Sequence, residues 1–137
     1  MNDLVIHEDS NTVEVGAGLT WIDVYEALVP KGINVVGGRL PDIGVGGYML
    51  GGGDSLFSMV HRMEGLKGAA GYSWKTNQFG LAVDNVVAFE LVLPSGQVKV
   101  VTEEDQDLWF ALRVRRSGIG ELKSNGLICI RVDLTTM

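Results

Sequence analysis

The stretch Gly37-Gly38-Arg39-Leu40-Pro41-Asp42-Ile43-Gly44-Val45-Gly46-Gly47-Tyr48-Met49-Leu50-Gly51-Gly52-Gly53 holds eight of the 19 glycines of this 137-residue chain. Average glycine usage is about 7%, so this one region accounts for most of the excess. Glycine admits positive φ and lets backbone N–H groups approach a ligand closely, so Gly44–Gly47 can form a concave nest for a phosphate-bearing group, a pyrophosphate-bearing nucleotide above all. Turns and flexible connectors are the commoner use of such runs. The pattern is not a Gly-x-Gly-x-x-Gly between a strand and a long helix, and no Gly-Lys-Ser/Thr closes it, which leaves the Rossmann and P-loop readings weak.

Upstream of this stretch, alternating apolar residues flanking Asp9-Ser10-Asn11 predict a hairpin of Leu4–His7 with Thr12–Val15. Thr20 caps a predicted helix carrying Trp21, Val24, Tyr25 and Leu28 on one face, which stops near Pro30-Lys31-Gly32. Ile33–Val36 reads as a brief strand, after which periodicity disappears. Downstream, Asp84–Leu93 and Gln97–Val101 around Pro94-Ser95-Gly96 form the clearest hairpin, and Glu103–Arg113 reads as a helix with acidic residues in its first turn and Arg113 in its last. Two segments fit no pattern: Met59–Gln78, with His61, Arg62, Lys67 and Lys75, and Val114–Met137, which ends in the apolar run Leu127–Val132. That run can supply a strand whose register the sequence leaves open.

Composition narrows the function. Seventeen acidic against eleven basic residues give a net charge of −6, so attraction to phosphate backbones or anionic lipid is not the driving force. No apolar run reaches the roughly 18 residues that span a bilayer, and the start lacks the charge and hydropathy of a signal peptide. The lone Cys129 with only His7 and His61 makes metal chemistry a poor reading. The expected partner is a small molecule, with neither nucleic acid nor membrane. Asp42, Asp54, Tyr25, Tyr48 and Tyr72 lie near the loops, yet none forms a spaced acid–base pair, and Trp21, Tyr25, Trp109 and Phe110 sit at core spacing.

Five blocks occur in order: Trp21–Leu28, Val35–Arg39, Gly44–Gly53, Phe79–Val87 and Asp107–Arg113. Together they resemble the FAD-binding (PCMH-type) domain of the berberine-bridge-enzyme-like flavin oxidases within the vanillyl-alcohol-oxidase type, especially its fungal members, over roughly residues 1–58 and 79–113. The resemblance implies an α+β fold, a mixed sheet with flanking helices, and an FAD held by backbone groups, with hydride transfer to flavin and O₂ as the usual acceptor. Gly44, Val45, Gly46, Gly47 and Tyr48 would be FAD contacts, with Asp54 a weaker one. Leu40 stands where bicovalent members carry a flavin-linking cysteine, so no cysteinyl linkage is expected.

The departures from the family matter as much. The family's first flavin loop, with its flavin-linking histidine, corresponds to sequence upstream of Met1, and the substrate domain with its catalytic base lies beyond the match. His7 reads as an ordinary strand histidine. The domain is therefore expected over 1–113, with an insert at about 59–78 and a divergent tail at 114–137. Both interruptions begin at a valine, Val60 and Val114, whose codons begin GT, and Gln78 can be encoded CAG. The two segments are thus compatible with retained intron sequence, a true loop and tail being the alternative. The catalytic residues, substrate and oligomeric state are not specified. Family members are often secreted. The chain alone is expected to be an incomplete, inactive flavoprotein fragment, and the competing readings are a flavin-free scaffold or binding module and a product without a stable fold.

Overall fold

Residues 1–50, 75–113 and 127–136 are described by the structure, a computed structural model. The segments 51–74 and 114–126 lie outside it, and with them Asp54, Tyr72 and most of the expected insert.

The N-terminal hairpin forms as its alternation predicts, from β1 (Leu4–His7) and β2 (Thr12–Gly16). Its turn is closed by Asn11 at φ 52°, a left-handed conformation that asparagine tolerates. Asn11 also accepts a hydrogen bond from the Leu134 N–H at 2.9 Å and donates through Nδ2 to the Leu134 carbonyl at 3.2 Å.

α1 (Trp21–Leu28) begins where Thr20 predicts. The Asp23 carboxylate accepts from both the Thr20 hydroxyl and the Thr20 N–H, and these two hydrogen bonds hold it below its ordinary pKa. The buried face of α1 is Trp21, Val24 and Leu28, and Gly32 at φ 74° ends the turn that follows.

The apolar run near the C-terminus receives its register here. β6 (Leu127–Asp133) lies between β2 and β4 (Val86–Val92), antiparallel to both, and β5 (Val98–Val101) completes a five-stranded sheet in the order β1-β2-β6-β4-β5. The segment read as a divergent tail thus supplies the central strand. A second, two-stranded sheet joins β3 (Ile33–Asn34) to β7 (Thr135–Thr136).

Register places Val13, Val15, Ile130, Val132, Phe89, Leu91 and Val101 on one buried face. Against it lie α1, α2 (Val45–Leu50) and α4 (Gln106–Arg113), while α3 (Thr76–Phe79) precedes the turn into β4. The α+β expectation holds, with every described strand pair antiparallel.

Three local expectations change. Asp84 and Asn85 form a 3₁₀ turn rather than the start of β4, because Asn85 Nδ2 donates to the carbonyls of Phe79 and Leu81 while Asp84 accepts the Leu81 N–H. α4 begins at Gln106 rather than Glu103: the Asp105 carbonyl accepts from the Trp109 N–H, and its carboxylate pairs with Lys99. The glycine stretch, read as aperiodic, contains the short helix α2.

Candidate functional site

The glycine stretch is sewn onto the connection between β2 and α1. Ile22 N–H donates to the Pro41 carbonyl at 3.1 Å, Trp21 N–H to Ile43 at 3.0 Å, and Val45 N–H to Leu19 at 2.8 Å. α2 then starts, its first internal bond running from Tyr48 N–H to the Gly44 carbonyl at 3.0 Å. By helix geometry the amides of Gly46 and Gly47 belong to the first turn, where the helix offers no acceptor of its own.

The structure brings Gly44, Val45, Gly46, Gly47 and Tyr48 together but divides them. Val45, Gly46 and Tyr48 are buried, while Gly44 and Gly47 are exposed. A Cβ built on Gly44 or Gly47 would meet nothing within 4 Å, and neither residue is among those with positive φ. Nothing inside the described fold requires glycine at either position. Glycine in a helix interior costs about 0.5–1 kcal/mol relative to alanine, so at Gly47 the absence of a side chain leaves an open surface at an intrinsic cost. Leu40 and Asp42 are exposed beside this surface.

Behind the strip lies an aromatic cluster. Trp21 is fully buried, stacks on Tyr25 at a centroid distance of 6.0 Å and meets Tyr48 edge-on at 5.2 Å. Tyr25 Oη donates to the Gly38 carbonyl at 2.8 Å. Burial pushes the Tyr25 phenol up to about 12. The Tyr48 phenol is raised too, by burial first and then by Tyr25, with Arg39 opposing. The core reading of Trp21, Tyr25 and Trp109 holds, whereas Phe110 is 62% exposed on α4 and lies outside the core. Tyr48 lies in the core behind the open surface.

Sequence spacing gave no sign of a second grouping on the outer face of the sheet. Glu14 on β2, Glu90 on β4 and Cys129 on β6 bring their ligand atoms within 4.8 Å of one another, solely through strand register. Arg131 Nη2 donates to Glu14 at 3.1 Å and the Cys129 thiol donates to Glu90 at 3.1 Å, so both carboxylates are already engaged within the protein. His7 Nε2 stands 3.5 Å from Glu14 on the same face. A cleft of about 540 Å³ lies between the 3₁₀ turn and α4, lined by Leu81, Val83, Gln106, Trp109 and Phe110.

No family model matches the chain. Over 137 residues it is 38% identical to the FAD-dependent monooxygenase yanF of Aspergillus niger, covering 99% of this chain and 19% of that protein. The chain therefore spans about a fifth of the length of the curated relatives it matches. Among solved structures, it superposes on the VAO-type flavoprotein MtVAO615 of Myceliophthora thermophila C1 with a TM-score of 0.67 and 27% identity, covering 91% of this chain and 19% of that one. The BBE-like 1 protein of Physcomitrella patens shares the fold, with a TM-score of 0.72 at 22% identity over 98% of this chain and 25% of that one. No helix among the described residues is long and apolar enough to cross a membrane.

Proposed function

We infer that a chain belonging, as this one does, to the FAD-binding domain of the berberine-bridge-enzyme-like, VAO-type flavin oxidoreductases uses the strip Gly37–Leu50 as one wall of an FAD site. The observation that carries this reading is the open surface over Gly44 and Gly47. These glycines relieve no clash and adopt no positive φ, so their missing side chains make room for something outside the described fold.

The fit to FAD rests on this chain's own groups. The Gly46 and Gly47 amides, unsatisfied within α2, are donors suited to a pyrophosphate. Val45 and Tyr48 are buried, so Val45 would contribute through its backbone while Tyr48 holds α2 against Trp21. Asp54 remains a proposed contact from the resemblance alone. The chemistry such a cofactor supplies is acceptance of a hydride equivalent from a small-molecule substrate, with O₂ as the usual electron acceptor.

The partial domain expected over 1–113 extends to include β6, the central strand of its five-stranded sheet, and β7, which pairs with β3. The role proposed for this part of the chain is to hold FAD. The test is FAD titration of the purified 137-residue chain, followed by visible absorbance after removal of free cofactor. Saturable, retained flavin is expected, and Gly47→Val should abolish retention while leaving the thermal transition in place. A folded chain that retains no flavin would overturn the reading in favour of a flavin-free scaffold.

A further inference from the structure

The glycines of the strip face opposite ways. Gly44 and Gly47 open outward, whereas Gly37 and Gly38 press inward on a single side chain. A Cβ on Gly37 would lie 2.2 Å from Trp21 Cζ3, and one on Gly38 would lie 2.5 Å from Cδ1 and 2.7 Å from Nε1 of the same indole. Real Cβ atoms do not approach so closely, and Trp21, at 1% exposure, has no room to retreat.

The indole also fixes the other half of the strip. Its ring meets Tyr48 of α2 edge-on, and Tyr25, stacked on it, holds the Gly38 carbonyl, while the main-chain N–H of Trp21, which any residue there would supply, donates to the Ile43 carbonyl. The indole Nε1–H is buried with no hydrogen-bond partner among the described residues. Burying a donor unsatisfied costs roughly 1–3 kcal/mol, which a leucine or phenylalanine filling the same space would avoid. The site keeps a group whose shape matters more than that cost.

We propose that Trp21 is the positioning residue of the cofactor wall: its indole is the mould against which both Gly37–Leu40 and α2 are set, fixing how deep the flavin-facing backbone lies. The inference rests on the FAD reading above. It implies that substitutions at Gly38 reach the cofactor through Trp21 and not by contact with it.

The experiment is FAD titration of the full chain and of Gly38→Ala, Trp21→Leu, the double variant and Tyr25→Phe, with the bound-flavin absorption envelope and thermal unfolding recorded for each. Gly38→Ala is expected to weaken FAD by about tenfold in the parent but by less than about threefold once Trp21 is leucine, a non-additivity that neighbours in contact produce. Tyr25→Phe keeps the ring, loses only the bond to Gly38, and is expected to weaken FAD by about threefold with a shifted flavin envelope. It reports even if Gly38→Ala does not fold. An equal cost of Gly38→Ala in both backgrounds, or a Tyr25→Phe variant indistinguishable from the parent, overturns the role of Trp21 while the FAD reading stands. A folded parent that takes no FAD overturns both.

Discussion

Arg113 Nη2 donates to Asp84 Oδ1 at 2.9 Å, joining the last turn of α4 to the 3₁₀ turn that launches β4. The second Asp84 oxygen accepts the Leu81 N–H at 3.0 Å, and the Arg113 guanidinium lies over the Trp109 ring at 5.4 Å. One carboxylate thus serves as both turn cap and ion-pair partner. Asp84→Ala is expected to cost about 1–2 kcal/mol in urea unfolding, most of it from the cap, because the partly exposed ion pair contributes less than about 1 kcal/mol. Asp84→Asn keeps an acceptor for Leu81 and should cost less, and the Asp84→Ala penalty should shrink in high salt. Equal costs for the two variants would show that the cap contributes nothing.

Gly32 and Gly44 separate two reasons for being glycine. Gly32 adopts φ 74° with open space where a Cβ would be, so only the backbone demands it. Gly32→Ala should cost about 1 kcal/mol and Gly32→Asn less, since asparagine tolerates the left-handed region. Gly44→Ala, with open space and no positive φ, should leave the unfolding midpoint within about 0.5 kcal/mol of the parent. A Gly44→Ala variant as damaged as Gly32→Ala would show that the fold itself needs that glycine.

Local pattern explains what could be read in advance. The β1–β2 hairpin, α1 and the β4–β5 hairpin each carry their period and their turn residues within one short window, and Thr20 with Asp23 marks a helix start on its own. α2 was hidden because its apolar residues, Val45, Tyr48 and Met49, stand among glycines that erase the helical signal. The Leu127–Val132 run is legible as a strand, but its central place is not, because that place depends on pairing Val15 with Ile130 and Phe89 with Ile130, which no local window contains. The Gly44–Tyr48 cluster was legible as a group, but not its division into outward-opening glycines and buried side chains, which only the packing of Trp21 decides. The Glu14, Glu90 and Cys129 grouping is likewise a product of register.

Cys129 should be a slow thiol. Burial raises its pKa first, and the carboxylates of Glu90 and Glu14 disfavour the thiolate further. Because the thiolate is the reactive form, labelling by a disulfide reagent near pH 8 should run about a hundredfold slower in the folded chain than in denaturant. Glu90→Gln removes one negative neighbour and should speed the folded reaction without changing the unfolded one. Equal rates in the folded and denatured chain would place the thiol in solvent.

Glu14 ties stability to pH. Its carboxylate accepts from Arg131 Nη2 at 3.1 Å, and this hydrogen bond holds it below its usual 4.5 despite the opposing effect of burial, with Cys129 and His7 adding smaller pulls. A carboxyl whose folded value is depressed stabilises the native state above the unfolded value, and that contribution disappears as pH falls through the folded one. Urea midpoints followed from about pH 7 to about pH 3 should therefore fall more steeply for the parent than for Glu14→Gln. The variant should be the less stable of the two at neutral pH, with the gap closing in acid. Parallel curves would mean that the Glu14–Arg131 pair, 29% and 42% exposed, is matched by water in the unfolded chain and contributes nothing to the fold.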